Sequence, residues 1–248
     1  MPLILFNYFY PPMKTVVITG ASRGIGFDTA LHLCRTGNKV IAVARNPHGL
    51  EALYNEANRS GHAAHLVVIP ADITNENHVS ELVGRIAQMT PAVDVLINNA
   101  GALINKPFGE ITNEELRGVY EVNVFAPFSL TQKFIPLLKK SILAHIVNIS
   151  SVGGVNGSVK FPGLSAYSSS KGALAILSEV LAEEFKTDNI RVNCLALGAA
   201  QTEMLAQVFP GFKAPLTSSE MGEYVSWFAV NGHKYFNGKV LPVAVSTP

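Results

Sequence analysis

The sequence is poor in charge and in sulfur. Only 15% of its 248 residues are Asp, Glu, Lys or Arg, against about 25% in an average globular chain. Such a chain, with 48% hydrophobic residues, has to bury a large core and has apolar surface to spare for an oligomer. Its net charge is only +1, which gives a nucleic acid nothing basic to bind. Cys34 and Cys194 are its two cysteines, and both lie in apolar periodic runs. They read as core thiols, and the spacing fits neither a disulfide framework nor a zinc site. The histidines are scattered; His62 and His65 are the closest pair and have no cysteine or carboxylate constellation beside them. No metal is expected. No apolar run reaches the roughly 20 residues that span a bilayer, so no membrane is expected and cytoplasm is the default location. Residues 1–12, MPLILFNYFYPP, lack the basic start of a secretory leader. They are expected to be an arm or a misassigned start, with one domain occupying 13–248.

Short β-branched runs alternate with longer segments of helical spacing. Strands are expected at 14–19, 39–44, 65–70, 93–97, 144–149, 190–196 and near 239–243. Helices are expected at 25–36, 47–60, 75–89, 112–122, 126–140, 166–186 and about 219–230. The first strand, 14–19, is continuously apolar rather than alternating, as in a parallel sheet covered on both faces. Repeated strand–helix units predict an α/β fold: a single Rossmann-type doubly wound domain, with a seven-stranded parallel sheet and helices on both faces. No linker or internal repeat divides it.

The first strand leads through Thr19-Gly20-Ala21-Ser22-Arg23-Gly24-Ile25-Gly26 into the first helix. Glycines between strand and helix permit a tight turn and close approach of backbone to phosphate. The amides and dipole of the following helix face that phosphate. An NAD-specific site places an acid at the end of the second strand to hold the ribose 2′-hydroxyl. Here that strand ends in Arg45. Arg45 and Arg23 are expected to neutralise a 2′-phosphate, which favours NADP(H) as the cofactor.

A second signal is Tyr167 and Lys171 in a helical run. Four residues apart, they share one helix face. An ammonium beside a phenol favours the phenolate, so Lys171 is expected to lower the Tyr167 pKa and to make it an acid/base for carbonyl–alcohol chemistry.

These motifs occur in a definite order with Asp72 after the third strand, Asn98-Asn99-Ala100-Gly101 after the fourth, Asn123, and Ser150-Ser151 after the fifth. From about residue 14 to 243 the pattern resembles the short-chain dehydrogenase/reductase family. That resemblance implies that Tyr167 is the catalytic acid/base. Lys171 lowers its pKa and binds the nicotinamide ribose. Ser151, the second serine of its pair, holds the substrate oxygen. Asn123 kinks its helix and holds a water that relays protons to Lys171. For the cofactor, it implies contacts from Gly20, Ser22, Arg23, Gly24, Ile25 and Gly26, from Asp72 and Ile73 beside the adenine, and from Asn99, Ala100 and Gly101 beside the adenosine ribose. It further implies Gly198 and Thr202 at the nicotinamide. The partners implied are a small-molecule carbonyl or alcohol substrate and a second copy of the chain. The long helices 126–140 and 166–186 would form a homodimer or homotetramer, with Gly172, Ala173 and Ala175 permitting close approach there or on the sheet.

The chain departs from the family at three places. Leu197-Gly198 stands where Pro-Gly is usual, which affects the nicotinamide end. The 152–166 connection is longer than usual and brings Phe161 and Leu164 to the substrate wall. The tail 241–248, LPVAVSTP, lacks the usual acidic, glycine-rich pattern, which alters the tetramer contact. A short lid is expected at 202–219, made apolar by Met204, Leu205, Phe209 and Phe212. The expected activity is NADP(H)-dependent carbonyl reduction. A non-catalytic NADP(H)-binding regulator would keep the glycine loop but have little need for Ser151, Tyr167 and Lys171 together. A doubly wound methyltransferase would want an acid after the second strand and has no use for the Tyr–Lys pair.

Overall fold

A computed structural model describes residues 13–245; the 1–12 leader and residues 246–248 lie outside the described part. Seven parallel strands form one sheet in the order β3-β2-β1-β4-β5-β6-β9. They are β1 (Thr15–Thr19), β2 (Lys39–Ala44), β3 (Leu66–Pro70), β4 (Val95–Asn98), β5 (Ala144–Ser151), β6 (Ile190–Leu197) and β9 (Val240–Val243). The strand order reverses between β1 and β4, and ligands of open α/β sheets bind in the crevice at the strands' carboxyl ends beside such a reversal.

Successive residues of a strand point to opposite faces, and this divides the core. Val16 and Ile18 join Val95, Ile97, Leu33 and Phe228 on one face. Val17 joins Leu96, Leu82, Phe134 and Ile190 on the other. The first face is covered by α1 (Gly24–Arg35), α2 (Pro47–Arg59) and α8 (Ser218–Asn231). The second is covered by α3 (Glu76–Met89), α5 (Ala126–Leu138) and the C-terminal half of α6 (Ser165–Glu184). A sheet clad on both sides explains why runs such as Val16–Ile18 and Val40–Ala44 are apolar without alternation.

Two helices expected from the periodicity are joined into one. After α4 (Asn113–Tyr120), residues Glu121–Phe125 form a π-helical turn that runs directly into α5. Pro127 sits in the first turn of α5. A proline cannot donate to the carbonyl four residues back, here that of Asn123, and the wider turn accommodates the break. The stretch expected as the lid, 202–219, contains regular structure. A short helix α7 (Glu203–Val208) lies between β7 (Ala200–Gln201) and β8 (Leu216–Thr217), which pair in parallel. The two strands hold the base of the 202–219 segment together.

Candidate active site

Of the helices that begin after a loop, α1 and α6 start without a side-chain cap or a first-turn acid, and α1 is the one that follows the glycine turn. α2 is capped by the Asn46 side chain, α3 by Asn75, and α4 and α8 by capping boxes that start at Thr112 and Thr217. α1 has no side-chain cap and no acid in its first turn. Its N-terminal amides therefore remain free for an anion. The turn before it is tightly built. Gly20 has φ +69°, and a Cβ there would lie 2.7 Å from the Ala100 Cα. Thr19 Oγ1 accepts the amides of Asn99 and Ala100, both at 3.1 Å. Asn99 Nδ2 donates to the carbonyls of Thr19 at 2.9 Å and Gly20 at 3.2 Å. The end of β4 thus fixes the shape of the glycine turn.

A cleft of about 530 Å³ runs along this edge. It is lined by Gly20, Ser22, Arg23, Gly24, Ile25 and Gly26 from the turn, and by Arg45, Asp72, Ile73, Asn99, Ala100 and Gly101 from the ends of β2, β3 and β4. Ser151, Tyr167, Lys171, Gly198 and Thr202 line its other end. Uncapped amides, a turn with no room for a side chain and an arginine pair are a donor set that fits a phosphorylated dinucleotide. The two arginines hold other partners in this structure. Arg23 pairs with Glu203 of α7 at 2.9 Å, and Arg45 lies 4.0 Å from Asp72. Asp72 accepts from Thr74 N and Oγ1 at 3.0 and 2.8 Å. These bonds and the Arg45 guanidinium outweigh its partial burial, so the carboxyl stays below its usual pKa.

The two serines that end β5 point different ways. Ser150 is buried, and its hydroxyl donates to the Lys171 carbonyl at 2.8 Å. Ser151 opens onto the cleft, where its hydroxyl also accepts from Gly153 N at 3.2 Å. Tyr167 and Lys171 stand one turn apart at the start of α6, with the ammonium 5.8 Å from the centre of the phenol ring. Lys171 is 3% exposed and donates to the Ile149 carbonyl at 2.8 Å. Burial pulls its pKa down to about 8, partly opposed by the nearby Cys194 sulfur.

The Tyr167 hydroxyl is not lowered as the sequence pattern implied. Burial raises its pKa, and the opposing pull comes from a hydrogen bond with Ser151. The reason is geometric: Lys171 turns its ammonium to a main-chain carbonyl rather than to the phenol oxygen.

Asn123 sits in the π turn between α4 and α5, where the helix was expected to kink. It is fully buried and lies outside the cleft lining. Its side-chain oxygen accepts Ala102 N at 2.8 Å, and its amide donates to Ala102 O and Ser170 Oγ, each at 2.9 Å. Both amide hydrogens are committed, so the side chain has none to give a water. What this residue can offer is its main-chain carbonyl, which Pro127 leaves without the usual helical donor.

Thr202 caps α7 by accepting Leu205 N at 3.2 Å. Gly198 N donates to Val243 O at 2.9 Å, so the residue after Leu197 remains tied to the sheet. Leu103, Val152, Phe161, Leu164, Val208 and Phe209 give the cleft an apolar stretch of wall. Phe161 and Leu164 were expected there; Leu103, Val152, Val208 and Glu203 were not singled out. Thr202 followed by Glu203 is an N-cap pattern, but the six residues of α7 carry no period that would confirm a helix there. Among the described residues there is no cluster of metal-ligating side chains, and no helix is long and apolar enough to cross a membrane.

The chain is similar to known proteins over most of its length. Residues 14–212 match the sequence model of the family described as short chain dehydrogenase. A cyclopentanol dehydrogenase from a Comamonas strain is 35% identical over 195 residues, covering 79% of this chain and 76% of that protein. The 3-oxoacyl-[acyl-carrier-protein] reductase of Thermotoga maritima is 29% identical over 240 residues, covering 93% and 96%. A short chain dehydrogenase from Escherichia coli, crystallised with NADPH, superposes with a TM-score of 0.85 at 30% identity, covering 92% of this chain and 95% of that one.

Proposed function

The chain belongs to the short-chain dehydrogenase family, and from that premise we propose that it interconverts a carbonyl compound and a secondary alcohol with NADP(H), acting as a carbonyl reductase. The observation that carries the proposal is the convergence of Ser151, Tyr167 and Lys171 on one end of a cleft whose other end is the phosphate-binding turn. NADPH, when bound, supplies the hydride. The glycine turn and the α1 amides hold its pyrophosphate, and Arg23 and Arg45 turn to its 2′-phosphate. The solved relative that holds NADPH supports this choice of cofactor.

The remaining chemistry belongs to the protein. Negative charge develops on the carbonyl oxygen during reduction, and two hydroxyls face that position. Ser151 donates a hydrogen bond to the oxygen, and Tyr167 transfers the proton. A phenol whose pKa is raised by burial stays protonated at neutral pH, which suits donation. Lys171 supplies positive charge behind it and binds the cofactor ribose. Proton resupply through Asn123 runs by its main-chain carbonyl. The 202–219 segment is the lid over the substrate, and its apolar face excludes water.

The assembly proposed is a homodimer or homotetramer. Phe125, Phe128, Ile176 and Val180 are exposed on α5 and α6 and their approaches. Gly172 and Ala175 face inward, Gly172 against the Gly154 carbonyl and Ala175 buried in the fold, so the larger apolar residues form the contact. Both cysteines are free and buried, which fits the reducing cytoplasm proposed as its location.

Ser151→Ala tests the assignment. The expected result is a fall in kcat of about 100-fold or more, the magnitude of losing one oxyanion donor, with NADPH affinity unchanged. An unaltered kcat would remove Ser151 from the site.

A further inference from the structure

The charged side chains around the cleft are unevenly placed. Arg45 and Asp72 face each other at the ends of β2 and β3, and Arg23 pairs with Glu203 beside the phosphate turn. Lys171 is buried on the Ile149 carbonyl. Past Tyr167 the wall is apolar: Leu103, Val152, Phe161, Leu164, Val208 and Phe209. The cations that adjoin this wall in sequence are engaged elsewhere or face solvent. Lys106 pairs with Glu115 at 2.7 Å. Lys160 folds onto the carbonyls of Val155 at 2.6 Å and Ser158 at 3.1 Å. Lys213 is exposed and lies outside the cleft lining. A carboxylate or phosphate entering beyond Tyr167 would lose its water with no counter-charge to replace it.

The same wall limits length. Three stretches of chain are laced together above it. Asn105 Nδ2 donates to the Val208 carbonyl at 3.3 Å, and Lys106 N donates to the Gly163 carbonyl at 3.0 Å. Gly163 has φ +87°, and the absence of a side chain there lets the Asn105 amide lie against it. The rings of Phe161 and Phe209 meet edge to face with centroids 5.4 Å apart, and Phe212 adds a second edge contact at 6.4 Å. A long chain attached to the carbonyl would have to part these loops. The whole cleft, about 530 Å³, is of the size that holds one drug-like molecule.

Resting on the reductase reading above, we infer that the substrate is a compact, uncharged, apolar ketone, of cyclic or aryl type. The Phe161–Phe209 contact and the Asn105–Val208 bond set its upper size. Neither an oxo acid nor a long-chain acyl thioester fits this end of the cleft.

A matched panel tests this, with NADPH oxidation followed for cyclohexanone, acetophenone, phenylglyoxylate and the 3-oxodecanoyl thioester of N-acetylcysteamine. The expected kcat/KM is at least about 100-fold higher for acetophenone than for phenylglyoxylate, which differs by one buried charge. Cyclohexanone is expected to exceed the thioester. Asn105→Ala combined with Phe209→Ala is expected to raise the thioester's kcat/KM about tenfold relative to cyclohexanone. Equal or better use of phenylglyoxylate or the thioester by the unaltered protein would overturn the inference alone, provided that Tyr167→Phe abolishes that turnover. Failure to reduce any of the four, by protein that binds NADPH, would overturn the reductase reading itself.

Discussion

Replacing Lys171 by methionine exposes what the site costs the fold. Lys171 is 3% exposed, and burial brings its pKa from 10.5 to about 8. Each pKa unit is worth about 1.36 kcal/mol. At pH 7 the lysine is charged in both states, and the folded state is penalised by roughly 3 kcal/mol. Below pH 8 that penalty is constant. Between pH 8 and 10.5 the unfolded lysine still holds its proton while the folded one releases it. Raising the pH through this window therefore favours the fold, and by pH 9 the penalty is about 2 kcal/mol. Methionine removes the whole penalty but also the bond from a charged donor to Ile149, worth about 1.5–3 kcal/mol. The two terms nearly cancel at pH 7, so the informative quantity is the change with pH. Urea unfolding of both proteins without cofactor, at pH 7 and pH 9, measures it. The native protein is expected to gain about 1 kcal/mol on Lys171→Met between the two. Parallel pH profiles would refute the idea that α6 carries a strained, desolvated ammonium.

Arg45→Asp is expected to weaken NADPH binding by about 10–100-fold, the loss of one or two charge-assisted hydrogen bonds, while NADH binding holds or improves; fluorescence titration with both dinucleotides checks this, and equal losses would show that Arg45 does not read the 2′-phosphate. Acid destabilisation is expected from the buried pair His145 and His233, whose rings lie 5.5 Å apart. His145 Nδ1 faces the Ala229 carbonyl at 2.9 Å, and Asn193 donates to its Nε2 at 3.0 Å, so the imidazole is held neutral and burial lowers its pKa to about 3. His233 falls to about 4, again through burial. Histidines depressed from about 6.5 stabilise fully above that value and lose the contribution as pH falls below it, about 2 kcal/mol each by pH 5; urea midpoints at pH 7 and 5 report the loss, and a flat profile would contradict it.

The sheet was legible because its strands are short runs rich in apolar, often β-branched residues between glycines and polar turns, as in Thr15–Thr19 and Lys39–Ala44. Three features were not legible, for different reasons. The π turn at Glu121–Phe125 interrupts a 3.6-residue period, and to periodicity a slipped register looks like two helices. α7 and the β7–β8 pair are too short to show any period, and six or two residues are stabilised by their neighbours rather than by pattern. The direction of the Tyr167 pKa shift was the third, because spacing reports which side chains share a helix face, not which acceptor an ammonium selects. Lys171 selects Ile149, on a strand 22 residues away in sequence. The same limit applies to Asn123, whose motif marks its position while Ala102 and Ser170 consume its side chain.

The central claim is that Tyr167 delivers the proton in an NADPH-dependent reduction. Its most direct test is Tyr167→Phe, measured by NADPH binding and by NADPH oxidation with a ketone that the native protein reduces. Removing only the hydroxyl leaves the ring and the cleft intact. The expected result is NADPH affinity within about twofold of the native protein with turnover down by at least about 100-fold, as for loss of a general acid. Turnover retained in Tyr167→Phe would contradict the mechanism at its core.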